Sequence, residues 1–294
     1  MAITASLVKE LRERTGAGMM ECKKALVETN GDIDGAIELM RKSGAAKADK
    51  KAGRIAAEGR ISIQINLDKK NAAIVEVNCE TDFVGNGDEL ALFADNVTKR
   101  VLNDKPNDLK ALSQMAIDKE SDATIDDTRR AMVVKIGENI AIRRFQNTVA
   151  TDFIGSYLHG SRIGVLVSME GGNGDLAKDI AMHIAASKPV CVSESEVPAD
   201  LLAKERDIFS SQAKESGKPD NIIEKMVAGR VKKYLAEVTL TGQAFVKDPD
   251  ITVGQLLEKS NAKVSSFIRF EVGEGIEKQA ENFADEVMAQ VRGT

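Results

Sequence analysis

An α+β fold is predicted for this 294-residue chain by three features. Apolar residues recur at helical spacing through the first 42 residues, alternation with period two begins near residue 61, and the same order of elements then repeats later in the chain. The composition, 43 % hydrophobic and 30 % charged, is that of a globular protein. A length prior of about 150 residues per domain gives roughly two domains.

The elements follow in order. Thr4 can cap a first helix with the stripe Leu7, Val8 and Leu11, closed by Gly16 and Gly18. A second helix is predicted over about 19–29, stopped by Asn30-Gly31. Asp32 caps a third, with Ile33, Ala36, Ile37 and Met40 inward. So small a bundle has little core and suits a binding module better than an enzyme. Residues 41–54 are basic and poor in large apolar side chains, and read as a partly helical linker. Contact with RNA phosphates is the alternative, but no aromatic residue interleaves the charges.

From Glu58 the pattern is that of a β-hairpin. Ile61, Ile63 and Ile65 alternate with Ser62, Gln64 and Asn66; Asp68-Lys69-Lys70-Asn71 turns; residues 73–79 return. Residues 80–87 read as a loop before a helix carrying Leu90, Ala94, Val97 and Val101. After the polar stretch 103–127, another helix leads into Lys135-Ile136-Gly137-Glu138-Asn139-Ile140 and a strand at 141–145. The order then recurs: a hairpin at 154–167, a helix capped by Asp175 and running through His183 and Ala186, and a closing strand at 266–270. Pro189 and Pro198 interrupt this second unit. Helical patterns over about 200–216 and 221–235, turned by Gly217-Lys218-Pro219, form an inserted helical hairpin; Ile222, Met226, Val227 and Val231 make the stripe of its second arm. A last amphipathic helix carries Ile276, Phe283, Val287 and Val291. The expected division is an N-terminal three-helix domain with linker (1–54), a first core subdomain (55–146), a second in two pieces (147–191 and 241–275), the hairpin (192–240) and a C-terminal helical module (276–294).

Function classes narrow next. With 41 Lys plus Arg against 46 Asp plus Glu, the formal net charge is −5, which disfavours a general nucleic-acid binder. Cys22, Cys79 and Cys191 are too widely spaced for a disulfide framework or a CxxC site, and His159 and His183 cannot complete a zinc site by spacing. No metal and no cofactor are therefore expected. The first residues lack an apolar signal core, so a cytoplasmic location is expected. No Gly-x-x-x-x-Gly-Lys-Ser/Thr loop, Gly-x-Ser-x-Gly or His-Glu-x-x-His occurs. Cys79 and Asp82 near a strand end have no histidine beside them in sequence. The chain is read as a non-enzyme without a nucleotide site of its own.

Several residues stand out without settling their role. Phe83 either tucks back into its own core or projects as an exposed wedge. Met19 and Met20 are adjacent, about 100° apart on a helix, so both cannot face a small core. Ile136-Gly137 ends a helix, as glycine routinely does. His159 closes a hairpin, where a polar turn residue is ordinary.

Five separated segments carry a resemblance along the whole chain: Leu11 to Leu26, Thr81-Asp82-Phe83-Val84, Lys135 to Asn139, His159-Gly160, and Phe270 to Lys278. Together they resemble the bacterial elongation factor Ts family, exchange factors for the GTPase elongation factor Tu. Only the spacer 85–88 and the polar 103–127 depart from the pattern, in loop length. The resemblance implies an N-terminal ubiquitin-associated-like domain, duplicated core subdomains, an inserted coiled coil and a C-terminal module. It implies that Thr81, Asp82, Phe83 and Val84 enter the G domain of elongation factor Tu near its magnesium. There Asp82 disturbs the ion and Phe83 props helices apart. It further implies contacts from Met19, Met20, Lys23, Ile136 and Gly137, from His159 to the partner's third domain, and from Lys51 as a weaker candidate. The partner would be bound both with GDP and nucleotide-free. A rival from another class is an RNA- or ribosome-associated scaffold using the basic linker. The inserted hairpin is a candidate element for self-association.

Overall fold

The computed structural model describes residues 3–118, 121–215 and 217–277, except the side chain of Ala45. Three helices open it: α1 (Ala5–Thr15), α2 (Met19–Glu28) and α3 (Ile33–Lys51). Thr4 Oγ1 accepts the Leu7 N–H at 3.3 Å, and Gly16 closes α1 at φ 66°, a left-handed conformation glycine adopts without a Cβ penalty. Asp32 accepts the Asp34 N–H at 3.1 Å to start α3. Val8, Leu11, Cys22, Ala25, Leu26 and Ala36 form the small core. The stretch expected as a linker is mostly helix: α3 continues to Lys51. Its alanines and lysines are strong helix formers, and Ala48 is buried in the core of the next unit, so tertiary packing extends the helix.

The first sheet unit comprises β1 (Glu58–Ile65), β2 (Asn71–Cys79), α4 (Asp82–Gly85), α5 (Asp88–Asp104), α6 (Leu109–Gln114), α7 (Ile125–Ile136) and β3 (Ala141–Val149). The antiparallel strand order is β1-β2-β3. One face, through Val75, Val77 and Cys79, packs on Leu90, Phe93, Ala94, Val97 and Val101 of α5 and Val133 of α7. The other face, through Ile61 and Ile74, packs on the second sheet. β2 is therefore buried on both sides. The segment expected as a plain loop at 80–87 contains the single helical turn α4.

The second unit has β4 (Phe153–His159), β5 (Ile163–Glu170), α8 (Gly174–Ser187), α9 (Ala199–Lys214), α10 (Asp220–Val238), β6 (Ala244–Phe245), β7 (Asp248–Thr252), α11 (Val253–Lys259) and β8 (Lys263–Glu271), with β4-β5-β8 as its antiparallel sheet. The cap of α8 is Asn173, which accepts the Leu176 N–H at 2.9 Å, and not Asp175, which lies in the first turn. In α10 the buried residues are Ile223 and Val231, while Ile222 is exposed, so the inward stripe is turned from the expected one. The elements from β6 to α11 fill a region where periodicity marks nothing. The two strands of chain leading into α9 and out of α10 are joined at their root: the Leu240 N–H donates to the Cys191 carbonyl at 2.9 Å and the Thr241 N–H to Val192 at 3.0 Å. Val192 and Leu240 themselves are buried in the core of the second unit. The final helix expected from 276 onward lies outside the described residues beyond 277.

The sheets meet closely. A Cβ on Gly164 would lie 2.5 Å from Ile61 Cγ2. Glu76, fully buried, is matched by Arg143 at 3.0 Å, Arg144 at 2.5 Å and the Gly273 N–H at 2.8 Å, which ties the end of β8 back to the first unit. A buried carboxylate without such partners would be costly. Among the described residues, no helix is long and apolar enough to cross a membrane.

Candidate functional site

The site begins where β2 ends. Thr81 caps α4, its hydroxyl oxygen accepting the Val84 N–H at 3.4 Å. A single turn has two sides. Val84 and Gly85 face inward and are buried; Asp82 and Phe83 face outward. Gly85 must be small, since a Cβ there would sit 3.0 Å from the Gly59 carbonyl oxygen. Phe83 is 86 % exposed. A side chain held so far into solvent adds little apolar burial to folding, which leaves this aromatic ring available for contact.

A brace stands behind this turn. Gly137 ends α7 at φ 91°, and the chain reverses there so that Glu138 faces the end of β2. Glu138 Oε2 accepts the N–H groups of Glu80 and Thr81 at 3.1 and 3.0 Å, and Oε1 accepts the Thr81 hydroxyl at 2.6 Å. In return Glu80 accepts the Asn139 N–H at 2.6 Å, and Asn139 Nδ2 donates to the Arg54 carbonyl at 2.8 Å. Lys51 Nζ donates to the Gly137 carbonyl. Lys51, Ile136-Gly137 and Thr81–Val84, far apart in sequence, thus form one contiguous assembly. Lys51 is half-buried, and its ammonium straps the end of α3 to the end of α7.

The β4–β5 tip joins the same edge. Ser161 Oγ lies 3.2 Å from Asn86 Oδ1 just after α4, and the Ile61 N–H donates to the Ser161 carbonyl at 2.8 Å. His159 is exposed, its Nδ1 3.1 Å from the Tyr157 hydroxyl. Met19, Met20 and Lys23 occupy a separate patch at the start of α2, where Met19 is 59 % and Met20 74 % exposed. Both methionines face out because Cys22 fills the inward position of that turn. A Lys47–Glu21 pair at 2.5 Å links this patch to α3.

Burial pushes the Cys79 thiol up to about 12, with nearby Glu138, Glu58 and Asp82 adding to the shift. It is a protonated donor to the Thr81 carbonyl at 3.1 Å, not a nucleophile. Among the described residues, no group of three or more His, Cys, Asp or Glu is placed to hold a metal ion. A cleft of about 400 Å³ lies between the helical bundle and α7. Of the charges lining it, Arg14 pairs with Asp34 at 2.9 Å, Arg130 with Asp126 at 2.6 Å and Lys135 with Glu89 at 2.9 Å. Sequence reasoning missed Glu80, Glu138 and Asn139 as parts of the site. The motif around Gly137 was visible, but no local signal pairs Glu138 with residues near 80.

The family described as Elongation factor TS matches residues 80–274, the span holding the α4 turn, Glu138 and Asn139 of its brace, β3 and the whole second sheet. Elongation factor Ts of Thioalkalivibrio sulfidiphilus is 63 % identical over 295 residues, covering all of both chains. That of Methylococcus capsulatus is 61 % identical, also over the full length of both, and that of Alkalilimnicola ehrlichii 59 % over 300 residues. The identity extends through the helical bundle as well as the sheets, and on these matches the chain belongs to the elongation factor Ts family of translation elongation factors.

Proposed function

We propose that this protein is a guanine-nucleotide exchange factor that binds elongation factor Tu and drives GDP release by contact alone. The carrying observation is Phe83, 86 % exposed on a braced turn beside an exposed Asp82. Phe83 enters between helices of the partner's G domain and holds them apart, while Asp82 disturbs the magnesium that anchors the phosphates. Met19, Met20 and Lys23 add a second contact to the G domain, and the His159 tip reaches the partner's third domain. Lys51 and Gly137 support the turn from behind and bound its contact face.

Linkage supplies the mechanism. A protein that binds the nucleotide-free partner more tightly than the GDP-bound partner weakens GDP binding by the same factor, and a 100-fold weakening corresponds to about 2.7 kcal/mol. No nucleotide site is needed on the exchange factor itself. The rival scaffold reading is weakened by α3: the basic stretch it needs as a free RNA-binding arm is held in a packed helix. Release of labelled GDP from elongation factor Tu, with and without this protein, tests the proposal. Acceleration at substoichiometric amounts is expected; an unchanged rate with retention of RNA on a filter would favour the scaffold.

A further inference from the structure

We infer that Glu138 is a positioning residue for exchange: its carboxylate sets the attitude of the α4 turn from which Phe83 projects. The inference deepens the exchange reading above and rests on it. Three donors converge on this one side chain, two backbone N–H groups at 3.1 and 3.0 Å and the Thr81 hydroxyl at 2.6 Å. Hydrogen bonds to a charged acceptor are stronger than neutral ones, and two oxygens sharing three donors fix a direction as well as a distance. The Glu80–Asn139 bond at 2.6 Å runs the opposite way between the same two segments, so the clasp resists sliding.

The placement of Glu138 makes little sense for its own helix. A negative charge just past the C-terminus of α7 opposes the helix dipole. Nor does the hydrophobic core need it. Val84 anchors the inner side of the turn in the core of the first unit, while Thr81 and Glu138 lie outside that cluster. Removing the carboxylate therefore leaves the turn attached but free to rock about Val84. Phe83 sits on the outer end of that lever, where a misplacement of about 1 Å can cost up to two orders of magnitude in a rate that depends on fit.

The experiment compares Glu138→Ala, Glu138→Gln, Phe83→Ala and the double variant Glu138→Ala/Phe83→Ala in full-length protein. Maximal GDP release from elongation factor Tu, melting temperature and hydrogen exchange at the Glu80 and Thr81 amides are measured. Glu138→Ala is expected to lose about tenfold in maximal rate, to melt within a few degrees of the parent and to expose both amides. Glu138→Gln keeps an oxygen for the two N–H groups and can donate to the Thr81 hydroxyl, so it should stay within about twofold of the parent. Adding Glu138→Ala to Phe83→Ala should cost much less than the tenfold it costs the parent, since only the smaller Asp82 contribution is left for the loosened turn to lose. Parental exchange by Glu138→Ala, a Gln variant as slow as the Ala variant, or additive losses in the double variant would each overturn the inference. Parental exchange by Phe83→Ala would instead mark failure of the wedge reading itself. Should Glu138→Ala not fold, Glu138→Asp, which keeps the charge but draws the carboxylate back by one methylene and leaves the Thr81 cap intact, carries the same comparison with a loss of about threefold.

Discussion

The two sheet units repeat one plan, a hairpin, a covering helix and a third strand, yet they join strand to helix in different ways. From β5 to α8 the chain needs only Gly171-Gly172-Asn173. Gly171 and Gly172 take φ 69° and 76°, and a Cβ on Gly171 would lie 2.4 Å from the Asn261 carbonyl oxygen. From β2 to α5 the chain spends eight residues, 80–87, on α4 and its flanks. Short connections are the norm in compact domains, so the longer one is not forced by the fold. What it adds is an aromatic side chain facing solvent. The unit with the minimal turn shows what folding requires, and the surplus in the other marks what is available for binding.

The largest expected effect lies in that surplus. Phe83→Ala removes an interface anchor worth about 2 kcal/mol, which slows GDP release roughly 30-fold if the contact forms only in the exchange-competent state. Its melting temperature should stay within a few degrees of the parent, since an exposed side chain carries little folding energy. Unfolding of this variant would show Phe83 to be a core residue.

The minimal turn should respond in the opposite way. Gly171→Ala forces a side chain into left-handed backbone at a cost of about 1–2 kcal/mol, with the Asn261 carbonyl adding to it. Denaturant unfolding should show that loss, while exchange per folded molecule is unchanged. A smaller effect is expected from Asp82→Ala, about 1 kcal/mol or fivefold in GDP release, because an exposed charge is screened by solvent.

The least effect concerns acid stability of the second unit. The Val246 N–H donates to His183 Nδ1 at 3.2 Å, so Nε2 carries the proton and donates to Gln243 Oε1 at 2.9 Å. Burial lowers the His183 pKa, and the Gln243 bond only partly opposes it. The unfolded chain therefore takes up this proton first. The stability held by the neutral ring is complete above about pH 6.5 and is lost as pH falls from there toward the folded value. Melting temperature should decline between pH 7 and 5.5 in the parent and more gently in His183→Gln. Glu271, held low by Lys188 and Arg269, acts only in a more acidic window.

What was legible in the sequence follows the range of the forces involved. Helix stripes such as Leu90, Ala94, Val97 and Val101 and the alternation at Ile61, Ile63 and Ile65 are local periodicities, and both elements form there. A four-residue helix has no period to detect, so α4 reads as loop. Asn173 and Asp175 are both good caps two residues apart, and only the geometry chooses Asn173. Alanine- and lysine-rich sequence suits linker and helix alike until Ala48 meets the core beside it. At the site, Phe83 could be singled out in sequence, but its exposure depends on Val84 and Gly85 turning inward. The Glu138 clasp spans nearly sixty residues and leaves no local trace.

The proposed mechanism gives Asp82 and Phe83 separate jobs within one turn, and magnesium distinguishes them. The decisive measurement is GDP release from elongation factor Tu driven by the parent, Asp82→Ala and Phe83→Ala, each with magnesium present and after its removal by a chelator. The defect of Asp82→Ala should shrink toward the parent once the ion is gone, because the route it assists is already taken, while the Phe83→Ala defect persists. Equal persistence of both defects without magnesium, or parental exchange by Phe83→Ala under either condition, would contradict the division of labour and with it the wedge.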